Sequence, residues 1–400
     1  MSTPRAPTAI GVYLAVVQLL FALTWVVYVI YLPQLAESAG LPRSVVPWLL
    51  MADQLIFMAC DLSVGFASDR AAALLGRLGR WMVGATLLSM AAFIALPFVA
   101  PGGSPLLLLV LTGVWAATSS LLRAPPLALL GRYVAKPAQP WLVSLLLLGG
   151  GVASALAPYL GMALKGLDPR GPFVLSSLVL AAVSLGMVAA EKALARARAA
   201  EPAVPAAAKS GAKPKPAAKP PIPGFLLAAL LAALAFQLQA NVINAPLLLR
   251  HAAPADLPWL MPLFWVGFNL ALLPASLATK RWGGLPVMAA GAAGAALAGL
   301  AALAAGSLPL LSTALLVAGA CWALLLMSAF SSALWFGFTG REGRMGGALN
   351  ALLALAALLR MALAASVAPA PAVAAGWGGW PALGFVAAGA LLWAIWQRSR

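Results

Sequence analysis

Charge is what this sequence has least of. Only 8% of its 400 residues are Asp, Glu, Lys or Arg, against about 25% in an ordinary soluble domain, so most of the chain cannot face water. Acids are rarest, nine against 25 Lys and Arg. A net charge of +16 could suggest nucleic acid. The basic residues, however, lie in short stretches between apolar runs, the distribution that orients membrane helices, and no nucleic-acid partner is expected. Histidine occurs once, His251, and cysteine twice, Cys60 and Cys321. One loop histidine supports neither a His-rich metal site nor a Ser/His/Asp triad. Both cysteines fall inside apolar segments, where a thiol reads as packing rather than as a disulfide framework. No Gly-Lys-Ser/Thr phosphate loop occurs, so ATP drive is unsupported. No metal, cofactor or enzymatic chemistry is expected.

What is present is apolar: 63% of the residues are hydrophobic. A membrane-crossing helix needs about 20 such residues, and twelve segments qualify, near 9–32, 44–67, 80–100, 105–130, 140–163, 172–190, 224–248, 257–279, 284–305, 309–338, 345–367 and 378–396. Their runs are continuous rather than alternating, which selects helices over a barrel of strands. The first is too long for a signal-peptide core and has no clear cleavage site, so it is expected to remain in the chain. With the N-terminus inside, 19 of the 25 Lys and Arg fall in cytoplasmic segments and only Arg43, Lys165, Arg170 and Arg250 outside. Both termini are therefore expected in the cytoplasm, in a cell (inner or plasma) membrane. The longest loop, 192–222, is rich in Ala, Pro and Lys. It reads as an extended linker between bundles 1–191 and 223–400, and its lysines could touch anionic headgroups.

The two bundles repeat each other. YVIYLPQL (28–35) aligns with NVINAPLL (241–248), VPWL (46–49) with LPWL (257–260), GFASDR (65–70) with SLATKR (276–281), and SSLLR (119–123) with SSALW (331–335). Gly131-Arg132 then matches Gly343-Arg344. Repeats in the same orientation imply an axis along the membrane normal and a substrate path between halves.

GFASDR (65–70) followed by GRLGR (76–80), at the turn between the second and third spans, resembles the signature loop of the major facilitator superfamily. Gly65, Asp69, Arg70, Gly79 and Arg80 match, with an inserted stretch (AAALLGRL) between the two parts. GVASALAPYLG (151–161), with Pro158 and Gly161, is similar to the fifth-helix signature of that family's drug and proton antiporters, with alanines at several glycine positions. The resemblance implies an all-α membrane fold of twelve transmembrane helices in two pseudo-symmetric six-helix bundles. It also implies a cavity lined by helices 1, 4, 7 and 10. Asp69 would lock the cytoplasmic side against the start of span 11, where Gly346 and Gly347 permit close approach. A carboxylate at a helix N-terminus gains about 0.3–1 kcal/mol. Lys280 stands at the repeat position of Asp69, so no second lock is expected.

Four ionisable groups lie inside spans, where charge is costly and by default functional: Asp53, Asp61, Arg123 and Arg360. At about 1.5 Å per residue, Asp53 and Arg360 both lie roughly 5 Å outside the midplane, and Asp61 and Arg123 about 8 Å inside it. The levels suggest two pairs, Asp53 with Arg360 as an outer gate and Asp61 with Arg123 within the first half. Their repeat counterparts, Phe264, Leu272, Trp335 and Leu148, are uncharged, so the charges break the symmetry. They could equally be structural ion pairs. Gln237, Asn241 and Asn244 share one helical face, as do Tyr28 and Tyr31 with Thr24, and Ser328, Ser331, Ser332 and Trp335 on span 10. These faces would converge on one cavity. Interhelical hydrogen bonding is the alternative, favoured for the serines.

The expected function is secondary active transport of a small solute by alternating access, coupled to protons, by a monomer, with an organic anion or a hydrophobic drug-like compound as substrate. A membrane-embedded binding or assembly protein that does not translocate is the alternative.

Overall fold

The computed structural model describes residues 5–73, 78–123, 125–199, 221–337, 340–366 and 377–399, and these form helices and their connecting turns, with no strand among them. Twelve helices are long and apolar enough to cross a membrane. Spans 1 to 6 are Thr8–Ser38, Arg43–Arg70, Leu78–Gly102, Pro105–Tyr133, Lys136–Ala163 and Arg170–Ala199. Spans 7 to 12 are Ile222–Leu248, Pro254–Trp282, Gly284–Ala304, Leu308–Gly337, Glu342–Ala365 and Trp380–Ser399. Their outward faces carry large apolar side chains; Leu106 and Leu270 are each 72% exposed. Such a surface suits hydrocarbon, where helices satisfy their own backbone. The chain is a multi-pass, all-α membrane protein.

Without a hydrophobic drive between helices, packing in lipid relies on close backbone approach. Gly267 faces the Leu316 carbonyl and Gly319 the Phe264 carbonyl, so spans 8 and 10 touch backbone to backbone. The six-helix halves use the same neighbour pairs: 1 with 5, 1 with 6, 2 with 4 and 3 with 6 in the first, and 7 with 11, 7 with 12, 8 with 10 and 9 with 12 in the second. Between halves, span 2 lies along span 11 and span 5 along span 8. Twelve spans return both termini to one end of the bundle, called here the terminal end.

The first bundle reaches beyond its expected limit. Residues 192–199 belong to a helix, Met187–Ala199, rather than to the linker. The reason is local: EKALARARA consists of strong helix formers, and Glu191 anchors the helix by accepting the Gly79 N–H at 2.8 Å. The rest of the linker, 200–220, and residues 74–77 of the inserted stretch lie outside the described residues.

Spans 4 and 7 are interrupted beside prolines, which lack a backbone donor. Span 4 passes from α-helix (Pro105–Ser119) through a 3-10 turn (Ser120–Leu122) to a helix that begins Pro125-Pro126. Arg123 sits at the break. Span 7 opens into a π turn, Gln239–Ile243, before the short helix Asn244–Leu248 that contains Pro246.

Candidate functional site

At the terminal end the halves meet on glycine. Gly65 of span 2 packs on Gly343 and Gly347 of span 11; a Cβ placed on Gly65 would lie 3.2 Å from the Gly347 Cα. That approach carries Asp69 to the first turn of span 11. Its Oδ1 accepts the Gly343 N–H at 2.7 Å, and its Oδ2 accepts the Arg344 N–H at 3.0 Å. Helix N-termini leave such donors unpaired, and the carboxylate meets the positive end of the helix dipole. The Arg344 guanidinium lies 4.4 Å over the Phe66 ring. Gly346, by contrast, has only ordinary contact with Leu127, so Gly343 and Gly347 are the residues that need to be small. Arg70 and Arg80 point outward as exposed side chains. In span 5, Pro158 lies within the helix and Gly161 faces open space; Gly149 against Ala15 and Gly151 against Asn269 are the tight contacts.

Between the halves lies a cavity of ≈ 410 Å³ walled by spans 1, 2, 4, 5, 7, 8 and 11. Its polar lining comprises Gln54, Arg123, Ser154, Gln237, Asn241 and Arg360, set among Phe21, Trp25, Phe57, Phe236 and Trp265. Among the described residues, no carboxylate forms part of that wall. Arg123 reaches it from the break in span 4, with its guanidinium 4.6 Å over Phe57 and Nη2 3.3 Å from Oδ2 of Asp61. Asp61 is wholly buried behind it. The pair inferred from depth is formed.

The other inferred pair is not formed in this conformation. Asp53 is buried inside the first half, where its Oδ2 accepts the Tyr28 hydroxyl at 2.8 Å. A buried hydrogen bond of this kind contributes about 1–3 kcal/mol and orients the carboxyl toward span 1. Arg360 meets no carboxylate among the described residues. Its Nε donates to Oε1 of Gln237 at 3.1 Å, and the same oxygen accepts Nδ2 of Asn241 at 3.1 Å. Spans 7 and 11 are thus linked across the cavity wall by a guanidinium–amide contact.

The polar face expected of span 7 divides in two. Gln237 and Asn241 line the cavity, but Asn244 is buried and accepts Nε2 of Gln239 at 2.8 Å. The π turn explains this, because one extra residue in a turn rotates everything after it to another face. Tyr28 and Tyr31 also leave the cavity: Tyr28 serves Asp53, and Tyr31 donates to the Leu164 carbonyl at 3.0 Å. Span 10 contributes none of its described residues to the wall. Ser328 shares a hydrogen bond with Thr279 at 2.7 Å, and Trp335 lies at the terminal end beneath the Lys136 ammonium, 3.8 Å from its ring centroid. Sequence reasoning missed Gln54, Gln239 and Glu191. Glu191 had a usable signal, as an acid in an otherwise basic segment.

No protein-family model matches the chain, and no curated protein matches it in sequence. Solved structures do match its fold end to end. The human organic anion transporter MFSD10 (TETRAN) is 15% identical with a TM-score of 0.71, over 100% of both chains. A bacterial homologue of the iron transporter ferroportin, in an outward-facing state, is 16% identical with a TM-score of 0.73, over 97% of this chain and 100% of its own. The E. coli fucose:proton symporter FucP is 14% identical with a TM-score of 0.66, over 99% and 100%. The chain has the fold of the major facilitator superfamily.

Proposed function

We propose that this protein is a secondary transporter that carries a small organic anion by alternating access. The observation that supports it most is the central cavity, into which the two halves contribute Arg123 and Arg360 with no carboxylate among the described residues of the wall. Asp61 offsets Arg123. Among the described residues Arg360 is held by a neutral amide and no carboxylate, so the wall keeps an excess of positive charge. Two guanidinium groups suit a carboxylate or phosphate, and the aromatic rings suit an apolar body on the same molecule. One of the structures with this fold is an organic anion transporter.

The terminal end is read as cytoplasmic from its lysines and arginines, and the Asp69 contact as the latch that closes it. In this reading the molecule stands open to the outside, as does the ferroportin homologue that shares its fold. Proton coupling follows from Asp61. A proton taken up there leaves Arg123 uncompensated and strengthens its pull on an anion, so proton and anion bind together and travel together. This favours symport.

The test is a ligand thermal-shift screen of the purified protein across organic anions, sugars and lipophilic cations. Anions carrying an apolar group are expected to stabilise it, and Arg360→Gln is expected to weaken that binding about tenfold or more, one charged hydrogen bond's worth. Stabilisation by cations alone, unchanged in the variant, would contradict the anion reading.

A further inference from the structure

A second cavity, of ≈ 590 Å³, lies at the terminal end where spans 5 and 9 begin and spans 8, 10 and 12 finish. It occupies the place that the repeat assigns to a second latch. Asp69 at the end of span 2 has Lys280, at the end of span 8, as its counterpart. Where Asp69 reaches across to span 11, Lys280 faces the start of span 5 over open space. Lys136 and Lys280 both belong to the wall, and among the described residues no carboxylate does. Cation–π contact with Trp335 holds Lys136 at the rim. A lysine cannot accept a hydrogen bond, so what the second half lacks relative to the first is negative charge.

Beside a few polar side chains, Gln139, Thr279, Ser331, Ser332 and Ser399, the remaining wall is apolar and rich in indole: Trp282, Trp335 and Trp396, with Phe336. Trp282 is 60% exposed and Trp335 58%. Indoles at the ends of membrane helices mark the headgroup level, and basic pockets between helices there suit acidic headgroups. The volume accommodates far more than an inorganic ion.

We propose that this cavity binds an anionic phospholipid, its phosphodiester between Lys136 and Lys280 and its glycerol and upper acyl carbons against the indoles. The lipid bridges the halves where the carboxylate latch is missing. The site is separate from the central cavity and does not depend on what is transported.

Native mass spectrometry of delipidated protein, titrated with phosphatidylglycerol or with phosphatidylcholine, tests this. One phosphatidylglycerol is expected to be retained about tenfold better than phosphatidylcholine. The double variant Lys136→Gln/Lys280→Gln is expected to lose that preference, while Lys280→Arg keeps it. Arg398→Gln, at the same end but outside the cavity wall, should also keep it. No preference in the wild type, or equal retention in the double variant, would overturn the proposal. Displacement of the lipid by millimolar inorganic phosphate would assign the site to a soluble anion and overturn it as well.

Discussion

Asp69 places both carboxylate oxygens on backbone N–H groups of another helix, so its contribution depends on a conformation rather than on packing. Asp69→Asn keeps the shape but leaves one N–H without an acceptor and removes the charge at the helix N-terminus, a loss of about 0.3–2 kcal/mol. Expression and melting temperature are therefore expected to stay near wild type while transport falls severely. Wild-type rates in proteoliposomes would show that the contact is no latch. Asp61 acts differently because it is wholly buried against a cation that reaches the cavity. Asp61→Asn mimics the protonated acid permanently. The expected result is anion exchange that persists while uptake no longer responds to an imposed pH gradient. Unchanged gradient dependence would remove Asp61 from the coupling.

Among the elements, spans 2 and 11 are the pair most sensitive to bulk. Any side chain on Gly65 would meet the Gly343 carbonyl and the Gly347 backbone. Overpacking of this kind costs about 1–3 kcal/mol, here only in the conformation in which the spans touch. Gly65→Val is therefore expected to shift spin-label distances between the turns after spans 2 and 10 toward longer values. An unchanged distance distribution would contradict a two-state contact. The spans themselves were legible in the sequence, since lipid imposes length and apolarity on each. Asp61 with Arg123 was legible as well, because depth follows from helical rise. The turning of Asn244 away from Asn241 was not, since a π turn leaves no mark in hydropathy and Pro246 alone does not specify one. Nor was the partner of Asp53: depth set its level but not the direction in which its carboxyl points, and Tyr28 on the neighbouring span took it. Span 10 looked polar on one face, yet Ser328 bonds Thr279 of span 8 and Ser331 bonds Met327 of its own helix, away from the central cavity.

For the whole molecule, the repeat gives the scaffold and the departures from it give the chemistry. Both halves use the same neighbour pairs, whereas Asp61, Asp69 and Arg123 occur only in the first and Arg360 only in the second. The halves therefore differ in charge at the two places that matter to alternating access, the cavity between them and the contact that closes one end. The most direct measurement of that account is counterflow: proteoliposomes loaded with an unlabelled organic anion that stabilises the protein, diluted into a trace of the labelled anion. The account predicts transient accumulation of label above equilibrium without any imposed gradient, lost in Arg360→Gln and preserved in Asp61→Asn. Binding of the anion with no accumulation in the wild type would contradict it and leave a membrane-embedded binding protein on the same fold.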